Sequence, residues 1–258
     1  RGRIVFVRDR EWDGLEMAVR SLQEPPGSRE DQVKRARASF RRDAETWLDL
    51  GWHPHLVSGF FARELTPYTK ADGTVVAADD GPRADSTLER LATLEPAFKP
   101  GGKVTAGNAC PLNDGAAAVV VMSDSKAAEV GVRPRARVIA TAVSGIQPDV
   151  MGVGPIEAVR RVLAQAGMTI EDVDVVELNE AFAAQVLPVC RELGIDPFGE
   201  QLNPHGGAIA LGHPYGMTGA RILCTLLNDL ETLDGTIGLE TMCVGGGQGM
   251  AMIVERLR

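Results

Sequence analysis

The chain has 258 residues, 44% of them hydrophobic and 24% charged, with a formal net charge of −8 and a pI near 5.1. That balance is ordinary for a globular chain and leaves no basic footprint for nucleic acid. An acidic total still permits an anionic ligand, since one cationic or amide-rich pocket is enough to hold it.

The opening stretch, RGRIVFVRDREWDG, contains a plausible short strand, IVFV. Its four-residue apolar core is too short for a signal peptide, and no run of 18 apolar residues predicts a membrane span. The chain does not begin with methionine, which is expected of a processed or incomplete polypeptide. QEPPGSREDQ then reads as a loop before a helix. VKRARASFRRDAETWLDL is densely basic with poor apolar periodicity, the pattern of a solvated helix face. His53 and His55 in WHPHL lack a carboxylate or cysteine in register, so a loop is preferred over a metal site.

Residues 58 to about 100 alternate short apolar pieces with turn dipeptides. They predict an extended excursion with small strands and one short helix. KVTAGNACPLNDGAAAVVVMSD predicts a strand, a polar elbow and a buried small-residue strand ending near Met122. SDSKAAEVGV predicts a helix with a glycine stop.

From residue 134 the elements alternate, as in an α/β layered domain. RARVIATAVSG is a strand. PIEAVRRVLAQAG is an amphipathic helix with Pro155 near its start and Gly167 after its end. DVDVVELNE is a strand, and AFAAQVLPVCRELG is a helix containing Pro188. GGAIALGHPYGMTGARILCTLLNDL is a small-residue segment running into a long helix. TIGLETMCV and GMAMIVERL are the final strands.

Three motifs carry candidate chemistry. In ELNEAFA, Asn179 and Glu180 stand at a strand end, where α/β sheets bind ligands. Taken alone the motif reads better as a helix cap. In NPHGGAIALGHPYGMTGAR, His213 lies among glycines at the entry to a helix. The positive helix end is expected to keep its ring neutral, able to act as a base or a hydrogen-bond donor. His205 is the nearby rival, but NPHGG reads as a turn. In TMCVGGGQGMAMIVER, Cys243 precedes four glycines in five positions, 245 to 249. A hairpin turn needs fewer, so something is expected to approach this backbone closely. The run is neither GxGxxG nor followed by a Walker lysine, which leaves nucleotide binding unsupported. Together, an amide, an imidazole and a thiol could run acyl chemistry. The other cysteines are Cys110, Cys190 and Cys224, and none forms a CxxC pair. Zinc and a disulfide framework are therefore disfavoured, no metal is implied, and a reducing cytoplasm fits.

NEAFA, GGAIALGHPxGxxGxR and CVGGGQGMA, in this order, resemble the thiolase family, and KVTAGNACPLNDGAAAVVVMS is similar to that family's last strand before its C-terminal half. The resemblance runs from about Ser58 to Arg258. It implies a layered α-β-α fold with a complete C-terminal half and a partial N-terminal half: an atypical segment at 1–57, a loop region and last strand at 58–122, and a C-terminal domain at 123–258. It implies thiolytic cleavage of a 3-ketoacyl-CoA to acetyl-CoA and a shortened acyl-CoA, or the reverse Claisen condensation, in lipid or steroid degradation.

By that resemblance, Cys243 moves the proton on the acetyl α-carbon. His213 activates a nucleophilic cysteine and helps hold one oxyanion. Asn179 positions a water in that oxyanion hole, and the Gly245 amide serves the second. Phe182, Ala181, Ala106 and Cys110 match the lining of the pantetheine channel, where the family often has serine in place of Cys110. Coenzyme A is implied as co-substrate with no permanently bound cofactor, together with a homo-oligomer, dimer or tetramer, assembled through the excursion at 58–100. The departure is the nucleophile: family members carry it in the N-terminal half, and residues 1–109 contain no cysteine. Apart from GSREDQ at 27–32, residues 1–55 do not follow the family's text. The alternative reading is a non-catalytic thiolase-like subunit, or a truncated fragment, that binds acyl-CoA or a partner protein.

Overall fold

The computed structural model describes residues 59–79, 81–83 and 86–258. The IVFV strand, the basic helix, GSREDQ and the His53/His55 pair lie outside the described residues.

The excursion holds as expected. A 3-10 turn at Phe60–Arg63 leads to a two-stranded ribbon, β1 (Tyr68–Thr69) and β2 (Val75–Val76), and then to helix α1 (Leu88–Ala92). The turn is anchored on the main domain. Phe60 stacks on His205 with centroids 3.7 Å apart, and the Arg63 guanidinium lies over the Phe60 ring, 4.4 Å from its centroid. The Glu64 carboxylate accepts from the Thr225 hydroxyl (3.0 Å) and the Asn228 amide (2.7 Å).

The buried strand expected before Met122 does not form. Among the described residues, 110–122 belong to no strand, and Val120 and Val121 are 83% and 75% exposed. Apolar composition makes a strand only where neighbours accept its ladder hydrogen bonds and cover its faces, and here none does. Helix α2 (Asp124–Val130) follows as predicted, capped by the Ser123 side chain and stopped by Gly131 in the left-handed region.

The main domain is one four-stranded sheet, ordered β3-β6-β5-β4. Its strands are β3 (Ala136–Gly145), β4 (Val175–Leu178), β5 (Ile237–Val244) and β6 (Gln248–Arg256). β6 runs antiparallel to both neighbours, and β4 and β5 are parallel. A parallel bridge from Val176 to Leu202 adds a rudimentary fifth row.

Side-chain alternation along the strands then builds two different faces. Val176, Leu178, Leu239, Ala251 and Ile253 point into one core, closed by α3 (Gly154–Ala166) and α4 (Ala183–Leu193) through Ala158, Val159, Val162, Val186 and Val189. Val175 and Val254 point the other way, onto Leu223, Leu226 and Leu230 of α6 (Thr218–Thr232). The predicted helix signals hold: Pro155 lies in the first turn of α3 and Gly167 ends it with φ +66. This is the layered α-β-α arrangement expected.

The second face also buries charge. Glu177 and Glu240, paired across β4 and β5, sit on the α6 side, where Arg221 approaches Glu177 at 3.6 Å. Burial pushes the Glu240 carboxyl up to about 8, with Arg221 opposing. Asp229 on the same helix is bonded to His205 at 2.6 Å.

Candidate active site

The site gathers at the C-terminal ends of the parallel strands β4 and β5, the end at which α/β sheets bind ligands. Asn179 follows β4 directly, and its amide N–H donates to Thr241, two residues before Cys243. The Asn179 side chain is fully buried, and neither its oxygen nor its nitrogen meets a partner among the described residues. A carboxamide in that state is costly unless a ligand or water meets it. The helix-cap reading of the motif fails: Phe182 occupies the N-cap of α4, and no side chain caps that helix.

Cys243 is the penultimate residue of β5 and is 4% exposed. Burial, opposed by its own backbone contact and reinforced by nearby Cys110, raises its thiol to about 11. The hairpin reading and the close-approach reading of the glycine run are both correct. β5 and β6 are antiparallel partners with Cys243 opposite Gly249, and Gly246 and Gly247 turn the chain at φ +87 and +84. A side chain at Gly247 would strike the Ile146 carbonyl, and one at Gly249 would strike Gly154. A Cβ at Gly245 would meet nothing within 4 Å, and the Gln248 side-chain amide donates to its carbonyl at 3.2 Å, so the backbone next to the thiol is open on the Cβ side.

His213 does not stand at a strand end. It lies between a short helix, α5 (Ala208–Leu211), and α6. Its ring is 9% exposed, and its pKa falls to about 4, through burial first and the Arg221 charge second. The expectation of a neutral ring is met, though by desolvation rather than by the helix end. Nδ1 lies 2.7 Å from the Thr218 hydroxyl, which itself donates to the Pro214 carbonyl at 3.0 Å. A hydroxyl has one proton to give. Nδ1–H is therefore the donor to Thr218, and Nε2 carries the lone pair. Thr218 was missed by sequence reasoning, because a partner five residues downstream across a turn leaves no periodic signal.

The remaining candidates are held by contacts of their own. Cys110 N–H donates to the Ala181 carbonyl (3.0 Å), Ala183 N–H to the Asn108 carbonyl (2.9 Å), and Ala109 bridges Phe182. Phe182 meets Phe98 edge-on at 5.9 Å, and Ala106 is exposed at the rim. The Cys110 thiol, raised to about 11 by burial, is close enough to perturb both Cys243 and Tyr215. Tyr215 in turn packs edge-on against His213, with centroids 4.9 Å apart. From the other side, Asn113 packs against Gly212 so tightly that no side chain would fit there, and Gly115 is similarly pressed by Pro214 and Met217. Cys110, Ala181 and Phe182 are thus tied by backbone contacts, and Tyr215 packs on His213, while Ala106 is exposed. Among the described residues no cluster of three or more metal-binding side chains exists.

This construction has counterparts among known proteins. Residues 132–256 match the thiolase C-terminal domain, and residues 27–125 match the thiolase N-terminal domain, ahead of the Ser58 where the motifs begin. The chain belongs to the thiolase family. It is 46% identical over 233 residues to a beta-ketoadipyl-CoA thiolase of Acinetobacter baylyi, covering 89% of this chain and 56% of that one. It is 50% identical over 203 residues to an acetyl-CoA acetyltransferase of Escherichia coli, covering 78% and 51%. Among solved structures, a Bacillus anthracis acetyl-CoA acetyltransferase aligns with TM-score 0.81 and 38% identity over 95% of this chain and 59% of that one. Human mitochondrial 3-ketoacyl-CoA thiolase in complex with CoA aligns with TM-score 0.74 and 35% identity over 84% and 54%. The chain spans about half the length of the curated relatives it matches.

Proposed function

We propose that the chain carries the acid/base and oxyanion side of a thiolase-type acyltransferase site acting on 3-ketoacyl-CoA and acetyl-CoA. The observation that carries this reading is that Asn179, His213 and Cys243 are all buried, the Asn179 carboxamide without a partner among the described residues, and that a Cβ at Gly245 would meet nothing within 4 Å. In cleavage, a thiolate attacks the 3-keto carbon and the C2–C3 bond breaks toward C2. The Cys243 thiol, kept protonated by burial, gives its proton to the departing acetyl-CoA carbanion. His213, neutral with its lone pair on Nε2, accepts the proton of an incoming thiol and then donates from Nε2 to an oxyanion. Asn179 contributes amide donors to the same oxyanion, directly or through water, and the Gly245 N–H serves the thioester oxygen next to Cys243. Phe182, Ala181, Ala106 and Cys110 line the path of the pantetheine arm. Coenzyme A enters as co-substrate.

Residues 58–122 serve as loop region and 123–258 as the catalytic C-terminal domain. The exposed Tyr68 and Val75 of the ribbon support a homo-oligomer, dimer or tetramer, joined there. Four unpaired cysteines support a reducing cytoplasm, and no described helix is long and apolar enough to cross a membrane. Degradation of fatty or other acyl-CoA chains is the metabolic setting.

One observation favours a second reading, a thiolase-like subunit that binds acyl-CoA without cleaving it: within these 258 residues, which span about half the length of the relatives, no cysteine precedes Cys110 to take the acyl group. Thiolysis of a 3-ketoacyl-CoA by this chain, beside Cys243→Ala, separates the two. Cleavage lost in the variant supports the acyltransferase. No cleavage by either folded chain selects the binding subunit, and equal cleavage by both contradicts the role of Cys243.

A further inference from the structure

One buried carboxyl beside the site has no part in the chemistry above. Glu180 is fully buried next to Asn179, yet it caps nothing in α4. Its carboxylate instead reaches across to the segment that presents His213. Oε1 accepts from the Asn203 amide at 2.7 Å, and Oε2 accepts from the Ile209 N–H at 3.2 Å. Asn203 is itself fastened to β4, its Oδ1 accepting from Leu178 N–H (2.8 Å) and its Nδ2 donating to the Leu178 carbonyl (3.0 Å). The carboxyl group occupies the space that a side chain at residue 207 would fill, so the carboxyl would have to move if residue 207 carried one. At the far end of the same segment Asn113 presses on Gly212, and His213 follows.

We propose that Glu180 is a positioning residue for His213: its two carboxylate oxygens pin the start of the 206–212 segment to β4 and so fix where the imidazole stands. This rests on the reading of His213 as a working base. Both donors need an acceptor, and only a carboxylate accepts at two oxygens. A glutamine in its place offers one acceptor and one donor. The groups facing Glu180 are Asn203, the Ile209 amide and Arg221, each of which favours the ionised form, and Glu177, Cys110 and Cys190, whose own ionisation its charge opposes. Burial pushes its pKa up to about 7, and the two donors and Arg221 pull against that rise. His213 for its part faces Arg221, Thr218 and Tyr215.

The test compares the histidine Cε1–H resonances of the full chain at a pH well above about 7, where Glu180 is ionised and the His213 ring is neutral, with His213 assigned by His213→Asn. In Glu180→Gln the His213 resonance is expected to move away from its wild-type position, because glutamine offers the 206–212 segment only one acceptor. His205, stacked on Phe60 and bonded to Asp229, reports whether the fold survives. An unchanged His213 resonance with His205 in place overturns the proposal, whatever the chain does in an activity assay. If both resonances move, Glu180→Ala with Gly207→Ala decides, because the new methyl at 207 fills the space of the lost carboxyl. Recovery of His205 with His213 still shifted upholds the proposal. Recovery of both, which would mean that filled space alone holds the segment, overturns it, as does recovery of neither.

Discussion

Val119–Met122 and Met250–Val254 are both short aliphatic runs, yet Val120 is 83% exposed and Ile253 is 0% exposed. β6 has β3 on one side and β5 on the other, with α3 and α6 covering its two faces. The first run has no such neighbours among the described residues. The difference shows that aliphatic residues supply a reason to be buried, while the ladder and the covering helices decide whether burial happens.

The largest effect that should follow from this contrast is on the buried run. Ile253→Ala removes a side chain wedged between β6 and the α3 core, and is expected to lower folding stability by about 2–4 kcal/mol in urea unfolding. A loss below about 1 kcal/mol would mean that the sheet core is looser than its burial indicates.

The next effect concerns the charged face beneath α6. Glu240 has a folded pKa raised above its unfolded value, so its contribution to stability is fully present below the unfolded value of 4.5. It is lost as pH rises through about 8. Glu240→Gln removes that loss, because an amide does not titrate. The variant is expected to gain stability over the wild type between pH 6 and pH 9, on the order of 1–3 kcal/mol, read from melting temperature against pH. Parallel pH curves for the two chains would place Glu240 in water.

The smallest effect belongs to the exposed run. Val120→Ser is expected to change stability by less than about 0.5 kcal/mol. A loss comparable to that of Ile253→Ala would show that 119–122 is covered in solution, and would erase the contrast.

Sequence reasoning reached the sheet, α3, α4 and α6 because their signals are local: alternation, Pro155 at a helix start, Gly167 at a helix end. It singled out Asn179, His213 and Cys243 as candidates because each lies in a short motif of unusual composition. It misread 110–122 because pairing is not written in the run itself. It also took Asn179 and Glu180 for caps, since the true target of Glu180, Ile209, is 29 residues downstream. The neutrality of His213 was foreseen with the wrong cause, because the burial and the Arg221 charge that produce it come from tertiary packing.

The central claim is that Cys243 moves a proton at the α-carbon of a CoA thioester, and deuterium exchange into the methyl group of acetyl-CoA in D2O tests it without any acyl transfer. The exchanging form is the thiolate, so with a thiol raised to about 11 the rate should climb about tenfold per pH unit across the neutral range. Cys243→Ala should reduce it by about 100-fold or more. Equal exchange by the wild type and the variant would contradict the account.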